Sequence, residues 1–402
     1  MMRVVIFLTI TAVAILAVMA AKGKSDLNDK LMLCNTCPPG FELTEANTCK
    51  LRSLYQQYEL ENGNNPGVGG LKTALPAVRD GFTPQQIDLG RYLFFDPVLS
   101  KDGSISCATC HQPEKGFSDG LKTSVGIHQT KLKRAAPSLW NVAFNKKFFW
   151  DARSTSLEDQ MTGPLYSPEE MGTTREQLTQ TLNDIDAYQD LFKQAFPESK
   201  SDQIELDQIY TAIAAFEASL ISLNSRYDQY AHGYHQALNA SELEGLNIFR
   251  SFVARCAECH TPPLFTNQQV AVIGLAEPDG KPLDPGAQTT FNDASLRGAF
   301  KVPSLRNIER TAPYTHSGRF SNLKDMIQFY TAGRGHDVPE GERLHIHWHI
   351  WEPQLTDYEM DRLVDFVKTL TDESFLPQTP NKLPSGIELK KMEPRQVLST
   401  IQ

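Results

Sequence analysis

Two stretches of this sequence carry chemistry by residue type and spacing: Cys107-Ala108-Thr109-Cys110-His111 and Cys256-Ala257-Glu258-Cys259-His260. In C-x-x-C-H, two thiols can add across the vinyl groups of a haem while the adjacent His sits beneath the iron as an axial ligand. A pair of disulfides, or a zinc site built from two C-x-x-C pairs, competes for the same thiols. Neither needs a His directly after each second Cys. Two copies in one chain therefore predict two covalently attached c-type haems, with His111 and His260 as iron ligands. A haem closed by two strong protein ligands carries electrons, whereas one with an open face can bind and activate a small molecule.

The elements that must position these motifs read as mainly helical. Thr83-Pro84 is a helix start, with a capping residue before Pro at the first helical position. Ile87, Arg91 and Phe94 follow at i, i+4 and i+7, and the pattern stops at Asp96-Pro97. The loop LSKDGSIS then delivers the first motif, and a long loop of low periodicity runs from Gln112 to Ser138. Loops of that length inside compact proteins are usually functional or disordered. An aromatic cluster, Phe144, Phe148, Phe149 and Trp150, comes next. Helical patterns resume after Thr173, the clearest being Ile209, Ile213, Phe216, Leu220 and Leu223 along one face. Ser241-Glu242-Leu243-Glu244 reads as a capping box opening the helix before the second motif. A Gly/Pro-rich loop follows from Thr261 to about Lys301. Thr356-Asp357-Tyr358-Glu359 is a second capping box, opening a helix with Met360, Leu363, Val364, Val367 and Leu370. Short strands are expected near Val270 and His345. The expected architecture is mainly α: two tandem cytochrome c-like domains, residues 75–235 and 236–375, each with one covalently attached haem c, then a tail, 376–402.

The bulk properties limit the alternatives. The chain has 402 residues, a formal net charge of −9 and a pI near 5.6, which argues against a nucleic-acid binder. Residues 1–21 combine a cationic start, an apolar run and small residues at Val18-Met19-Ala20, the pattern of a secretory signal. The run is also near the lower limit for spanning a bilayer, so an uncleaved membrane anchor remains an alternative. Either way the body is expected outside the cytoplasm, in the periplasm. Residues 22–74 form a Cys-bearing extension and linker. Of seven cysteines, Cys34, Cys37 and Cys49 lie here, and in an oxidising compartment two of them pair. Sequence does not choose between Cys34–Cys49 and Cys37–Cys49. His345, His347 and His349 alternate in LHIHWHIWE. They read either as a copper or zinc site or as an exposed strand with polar alternation.

Several ordered blocks make the chain resemble the bacterial dihaem cytochrome c peroxidases and their relative MauG over roughly residues 75 to 372. These are LFFDPVLSKDGSISCATCH, RAAPSLWNVAFNKKFFWDAR, SLEDQMTGPLYSPEEM and KVPSLRNIERTAPYTHSG, together with both haem motifs. The resemblance implies that the first haem, on His111, is the peroxide site. Glu170 matches the family's distal carboxylate, Gln160 its accompanying amide, and Pro164 lies between them as in the family. A positioned Glu can move a proton from the near to the far oxygen of hydrogen peroxide before the O–O bond breaks. Trp150 matches the tryptophan between the two haems. Arg134 and Arg153, beside these blocks, are expected either at haem propionates or in core ion pairs.

The second haem, on His260, is the electron-transfer site in the family. In the peroxidases its distal ligand is a Met fourteen residues after the His of PY-x-H-x-G. Here that His is His316 and the corresponding residue is Tyr330, which matches MauG instead. Met raises a haem potential, whereas an anionic phenolate stabilises oxidised iron. Met326, one helical turn earlier, is a competing ligand. The family also binds calcium between the domains through an Asn side chain and carbonyls of a T-x-P segment. Thr311 and Pro313 are present, but the Asn position is Ala135, so one side-chain ligand is lost. His128 falls one position from a loop His that ligates the first haem in resting peroxidases. It reads as a switch ligand or as a solvated loop residue.

These readings imply a dihaem enzyme that reduces hydrogen peroxide, with electrons entering through the second haem from a small cytochrome or cupredoxin. A MauG-like enzyme would instead take electrons from residues of a protein substrate, maturing a cofactor there. A reading of another class is a dihaem electron carrier with both irons closed. No nucleic-acid partner is expected, membrane contact only through an uncleaved N-terminal segment, and a homodimer is compatible with the chain.

Overall fold

The computed structural model describes residues 31–53, 75–333, 338 and 341–388. The expected signal or anchor, residues 1–21, and the Asn62–Gly70 linker lie outside them. The chain divides after Met32 into two compact units, and the second contains both C-x-x-C-H turns.

The chain opens with a hairpin, β1 (Phe41–Leu43) against β2 (Cys49–Leu51). Then come α1 (Pro84–Phe95), the single turn α2 (Cys107–Cys110), α3 (Leu157–Tyr166), α4 (Arg175–Asn183) and α5 (Asp186–Ala195). After these lie α6 (Leu206–Ala218), α7 (Arg226–Ala231), α8 (Ala240–Phe249) and the single turn α9 (Cys256–Cys259). Strand β3 (Val270–Val272), α10 (Ala287–Phe291), β4 (Ala299–Lys301), α11 (Leu323–Thr331) and α12 (Asp357–Lys368) complete the order. Among the described residues the sheets are two antiparallel pairs, β1 with β2 and β3 with β4. The fold is thus largely helical.

Two helix pairs organise the packing. Thr83 caps α1 through a box with Gln86, and Pro84 fills the first helical position; Pro lacks an N–H that would be orphaned there anyway. Helix α1 crosses α6 at Gly90, where an added Cβ would fall 1.8 Å from the Ala212 carbonyl oxygen. Phe94 meets Phe216 across this contact with ring centroids 5.0 Å apart. Helix α8 crosses α12 in the same manner at Gly245, where a Cβ would lie 2.0 Å from the Arg362 carbonyl oxygen. Phe249 and Phe366 meet there at 5.1 Å, with Tyr227, Leu363 and Leu370 in the same core. Each pair immediately precedes or encloses one C-x-x-C-H turn.

The structure differs from expectation at four places. A helix already exists at α3, before Thr173, because Ser156 accepts from the Asp159 N–H and starts it. The stripe of Ile209, Ile213 and Phe216 stays on α6, but Leu220 and Leu223 lie beyond its end. The side chain of Asn141 there pairs with the backbone of Ser222 in both directions, at 2.9 Å each, and holds that segment extended. Helix α8 is capped by Asn239 rather than Ser241, since Glu242 completes a box with Asn239 and also accepts from Arg226. No strand forms at His345. That segment is tied to β3 by His347 N–H to the Val272 carbonyl and then turns at residues 348–349.

In the extension, Cys37 pairs with Cys49, and Cys34 is free and exposed. The Cys34 N–H bonds Asp88 of α1, and Cys49 of β2 bonds the Gly81–Phe82 backbone just before that helix.

Candidate active site

At the first motif, the Ser106 N–H donates to the Thr109 hydroxyl and starts a single turn that sets Cys107 and Cys110 one turn apart. Neither thiol is bridged. His111 ends the turn, and its Nδ1 donates to the Phe117 carbonyl at 2.9 Å. Burial holds this imidazole below its ordinary pKa. A neutral ring tied at Nδ1 offers the Nε2 lone pair to a metal, the usual device for orienting a His ligand. Glu217 of α6 is buried nearby and its charge contributes to the raised pKa of Cys107. Its Oε2 has no hydrogen-bond partner, and burial, then the Glu158 charge, push its carboxyl up to about 8.

The second motif opens onto a cavity of about 300 Å³ that Cys256, Cys259, His260, Met326, Tyr330 and Trp150 all line. Both thiols are unbridged. His260 Nδ1 lies 3.2 Å from two carbonyls, those of Phe265 and Pro303, and burial drives the ring down to about 4. Tyr330 and Met326 project from α11 one turn apart, so the cavity admits either as the second axial residue. Burial raises the Tyr330 phenol well above its ordinary value. Two free thiols, a neutral oriented imidazole and a largely apolar cleft fit a covalently held haem at this motif. The first motif has the same donor set.

Glu170, Gln160 and Pro164 come together on α3 and the turn after it. Pro164 lies inside α3 and has no N–H, so the Gln160 carbonyl lacks its helical partner. The Glu170 turn is pinned on both sides. Its carbonyl accepts the Ile127 N–H at 2.9 Å, and the Met171 carbonyl accepts the Lys101 N–H at 2.9 Å. Lys101 precedes the first motif and Ile127 follows it, so both flanks of that motif meet at Glu170. Burial raises the Glu170 carboxyl above the usual range, with Arg153 opposing and Glu169 reinforcing.

Trp150 donates its indole N–H to the Ala135 carbonyl at 2.8 Å and stands edge-on to His316 at 6.4 Å. Arg134 is in half-buried ion pairs and Arg153 is in an ion pair at the surface. Arg134 bonds Asp284 and Asp151 at 2.7 Å each, and Arg153 bonds Asp151 at 2.9 Å. The Thr311 hydroxyl donates to the Ile308 carbonyl and the side chain at 135 is a methyl. Calcium takes six to eight oxygens, and Thr311 and Pro313 supply too few to hold it alone. His128 is on the surface with its side chain 69% exposed, 4.0 Å from Asp102. His347 and His349 sit 5.0 Å apart, and His349 pairs with Glu258 at 2.8 Å. Among the described residues no group of three His, Cys, Asp or Glu is placed to hold a metal ion.

Sequence reasoning missed Glu277, which bonds His316, and the buried Glu217. Glu277 lies in a loop without periodicity. Glu217 sits on the Phe216 stripe, where a charged residue beside a buried face was the available signal.

The family model for di-haem cytochrome c peroxidase matches residues 84–236. The cytochrome c551 peroxidase of Nitrosomonas europaea is 34% identical over 317 residues, 78% of this chain and 88% of that protein. The methylamine utilization protein MauG of Methylorubrum extorquens is 35% identical over 302 residues, 74% of this chain and 82% of that protein. Among solved structures, a MauG-like protein associated with microbial copper homeostasis superposes with TM-score 0.69 at 30% identity, covering 77% of this chain and 96% of that one. The diheme peroxidase BthA of Burkholderia thailandensis shares the fold, with TM-score 0.63 at 23% identity, covering 89% and 98% of the two chains. This chain belongs to the di-haem cytochrome c peroxidase family. Haem is therefore its implied cofactor, and the relatives divide between peroxidases and MauG.

Proposed function

We propose that this protein is an exported peroxidase that reduces hydrogen peroxide to water at a haem attached to Cys107 and Cys110 and ligated by His111. The observation that carries the reading is the Glu170 turn, bonded to both segments flanking the first motif. When bound, the first haem supplies the iron at which peroxide accepts two electrons. Glu170 takes the proton from the near oxygen and returns it to the far one, and two further protons complete two waters. Gln160 orients peroxide or water. Trp150 is the aromatic relay toward a second haem on Cys256, Cys259 and His260. The two helix pairs support a division into cytochrome c-like domains at about residues 235–236. No helix among the described residues is long and apolar enough to cross a membrane.

The source of electrons separates two readings. A small cytochrome or cupredoxin is the donor in the leading one. Tyr330, in the cavity wall where the peroxidases carry Met, favours the other, in which peroxide oxidises residues of a protein substrate. Peroxide titration of the purified ferric protein, followed optically, decides. Reaction only after one-electron reduction supports the conventional peroxidase. A long-lived state oxidised by two equivalents without donor supports MauG-like chemistry. No spectral change under either condition removes peroxide from the function and leaves an electron carrier.

A further inference from the structure

Glu277 and His316 form a buried carboxylate–imidazole pair beside Trp150. His316 Nε2 donates to Glu277 Oε1 at 2.7 Å, with the two side chains 3% and 8% exposed respectively. The imidazole is fixed on both flanks: Phe300 stacks on it at 3.7 Å, and Trp150 meets it edge-on at 6.4 Å. One residue, Ala135, bonds both Trp150 and His316. The Ala135 N–H donates to the His316 carbonyl at 2.7 Å, and the Ala135 carbonyl accepts the Trp150 indole N–H at 2.8 Å. The indole is therefore tied to the backbone that carries the imidazole.

The carboxylates around this cluster are paired with guanidinium groups, with one exception. Asp284 and Asp151 share Arg134, and Asp151 also has Arg153. Glu277 has no guanidinium. Its single ion-pairing partner among the described residues is His316. Burial raises this carboxyl, but the hydrogen bond from His316 outweighs that and holds it below the usual range. An anion one ring away, in a site of low dielectric, favours positive charge on the neighbouring indole far more than it would in water.

We propose that Glu277, acting through His316, is a positioning residue that makes Trp150 easier to oxidise by one electron. The inference rests on the reading of Trp150 as the relay between the two haem sites. Peroxide is the oxidant: it takes two electrons from the first site. Trp150 then passes one electron to that site and is refilled by one from the second. The indole N–H stays bonded to the Ala135 carbonyl, so no proton leaves, and the Glu277 carboxylate balances the transient positive charge.

Glu277→Gln keeps an oxygen that accepts from His316 and removes the charge. In the haem-loaded protein, stopped-flow spectra after peroxide addition resolve reaction at the first site from the later oxidation of the second. The expected result is a first phase within twofold of wild type and a second phase at least tenfold slower. The tryptophan radical signal seen by freeze-quench electron paramagnetic resonance should fall in parallel. Trp150→Phe sets the floor for the second phase. His316→Asn breaks the chain at its middle and should reproduce the slow phase, which keeps the test available if Glu277→Gln does not fold. A second phase within twofold of wild type in both variants overturns the proposal, as does an equal slowing of both phases with haem content intact. A wild-type protein inert to peroxide overturns the peroxide reading and this inference with it.

Discussion

Glu170 combines a constrained backbone with a carboxyl whose pKa is raised chiefly by burial. To act as a base it must first ionise. Reactivity toward peroxide should therefore rise with pH through the raised value and level off above it. Glu170→Gln should retain both haems, slow the reaction by on the order of a hundredfold, and abolish that pH limb in stopped-flow measurements. A near-normal rate removes Glu170 from the chemistry. Tyr330→Met should raise the midpoint potential of the second haem and speed turnover with a cytochrome donor, as read by redox titration and steady-state assay. Glu217 makes a prediction about stability instead. Its folded-state pKa is raised from 4.5 to about 8, so the folded protein holds a proton that the unfolded chain has already lost. Stability should fall as pH rises from about 4.5 to about 8. Glu217→Gln should flatten that slope in thermal unfolding, and an unchanged slope would place the proton elsewhere. The catalytic candidates were legible because their neighbours form recognisable blocks. Glu277 was not legible, because its partner His316 is 39 positions away and no local pattern joins them.

At the scale of elements, caps were read well and ends less well. Thr83 and Thr356 both cap through complete boxes, since a hydroxyl and a Glu or Gln three residues on satisfy two orphan donors by local geometry alone. Asn239 took the place of Ser241 because Glu242 answers both to the helix start and to Arg226, and that second contact is tertiary. The end of α6 was likewise decided by Asn141, distant in sequence. Among these tertiary contacts, Arg306 is the most demanding. It is 1% exposed and donates to both carboxylate oxygens of Asp228 on α7, at 2.6 Å for Nη2. Removing one partner of such a buried pair typically costs about 3–5 kcal/mol. Asp228→Ala should lower the thermal midpoint accordingly, and a change within error would mean that the guanidinium finds another acceptor.

Across the whole molecule, the mainly helical class was legible from periodicity. The fate of the N-terminal cysteines was not, because three thiols allow more than one pairing and only the fold brings Cys37 to Cys49. That pairing leaves Cys34 exposed, which turns the chain into its own assay of cofactor loading. An alkylating reagent added to the unreduced, unfolded protein should modify Cys34 alone if both haems are joined by thioether bonds. A chain without haem should take the reagent at Cys34 and at all four motif thiols. Intermediate adduct counts in intact mass spectra would report how many attachment bonds each molecule carries, independently of absorbance and of turnover. A fully coloured protein with five adducts would sink the thioether assignment.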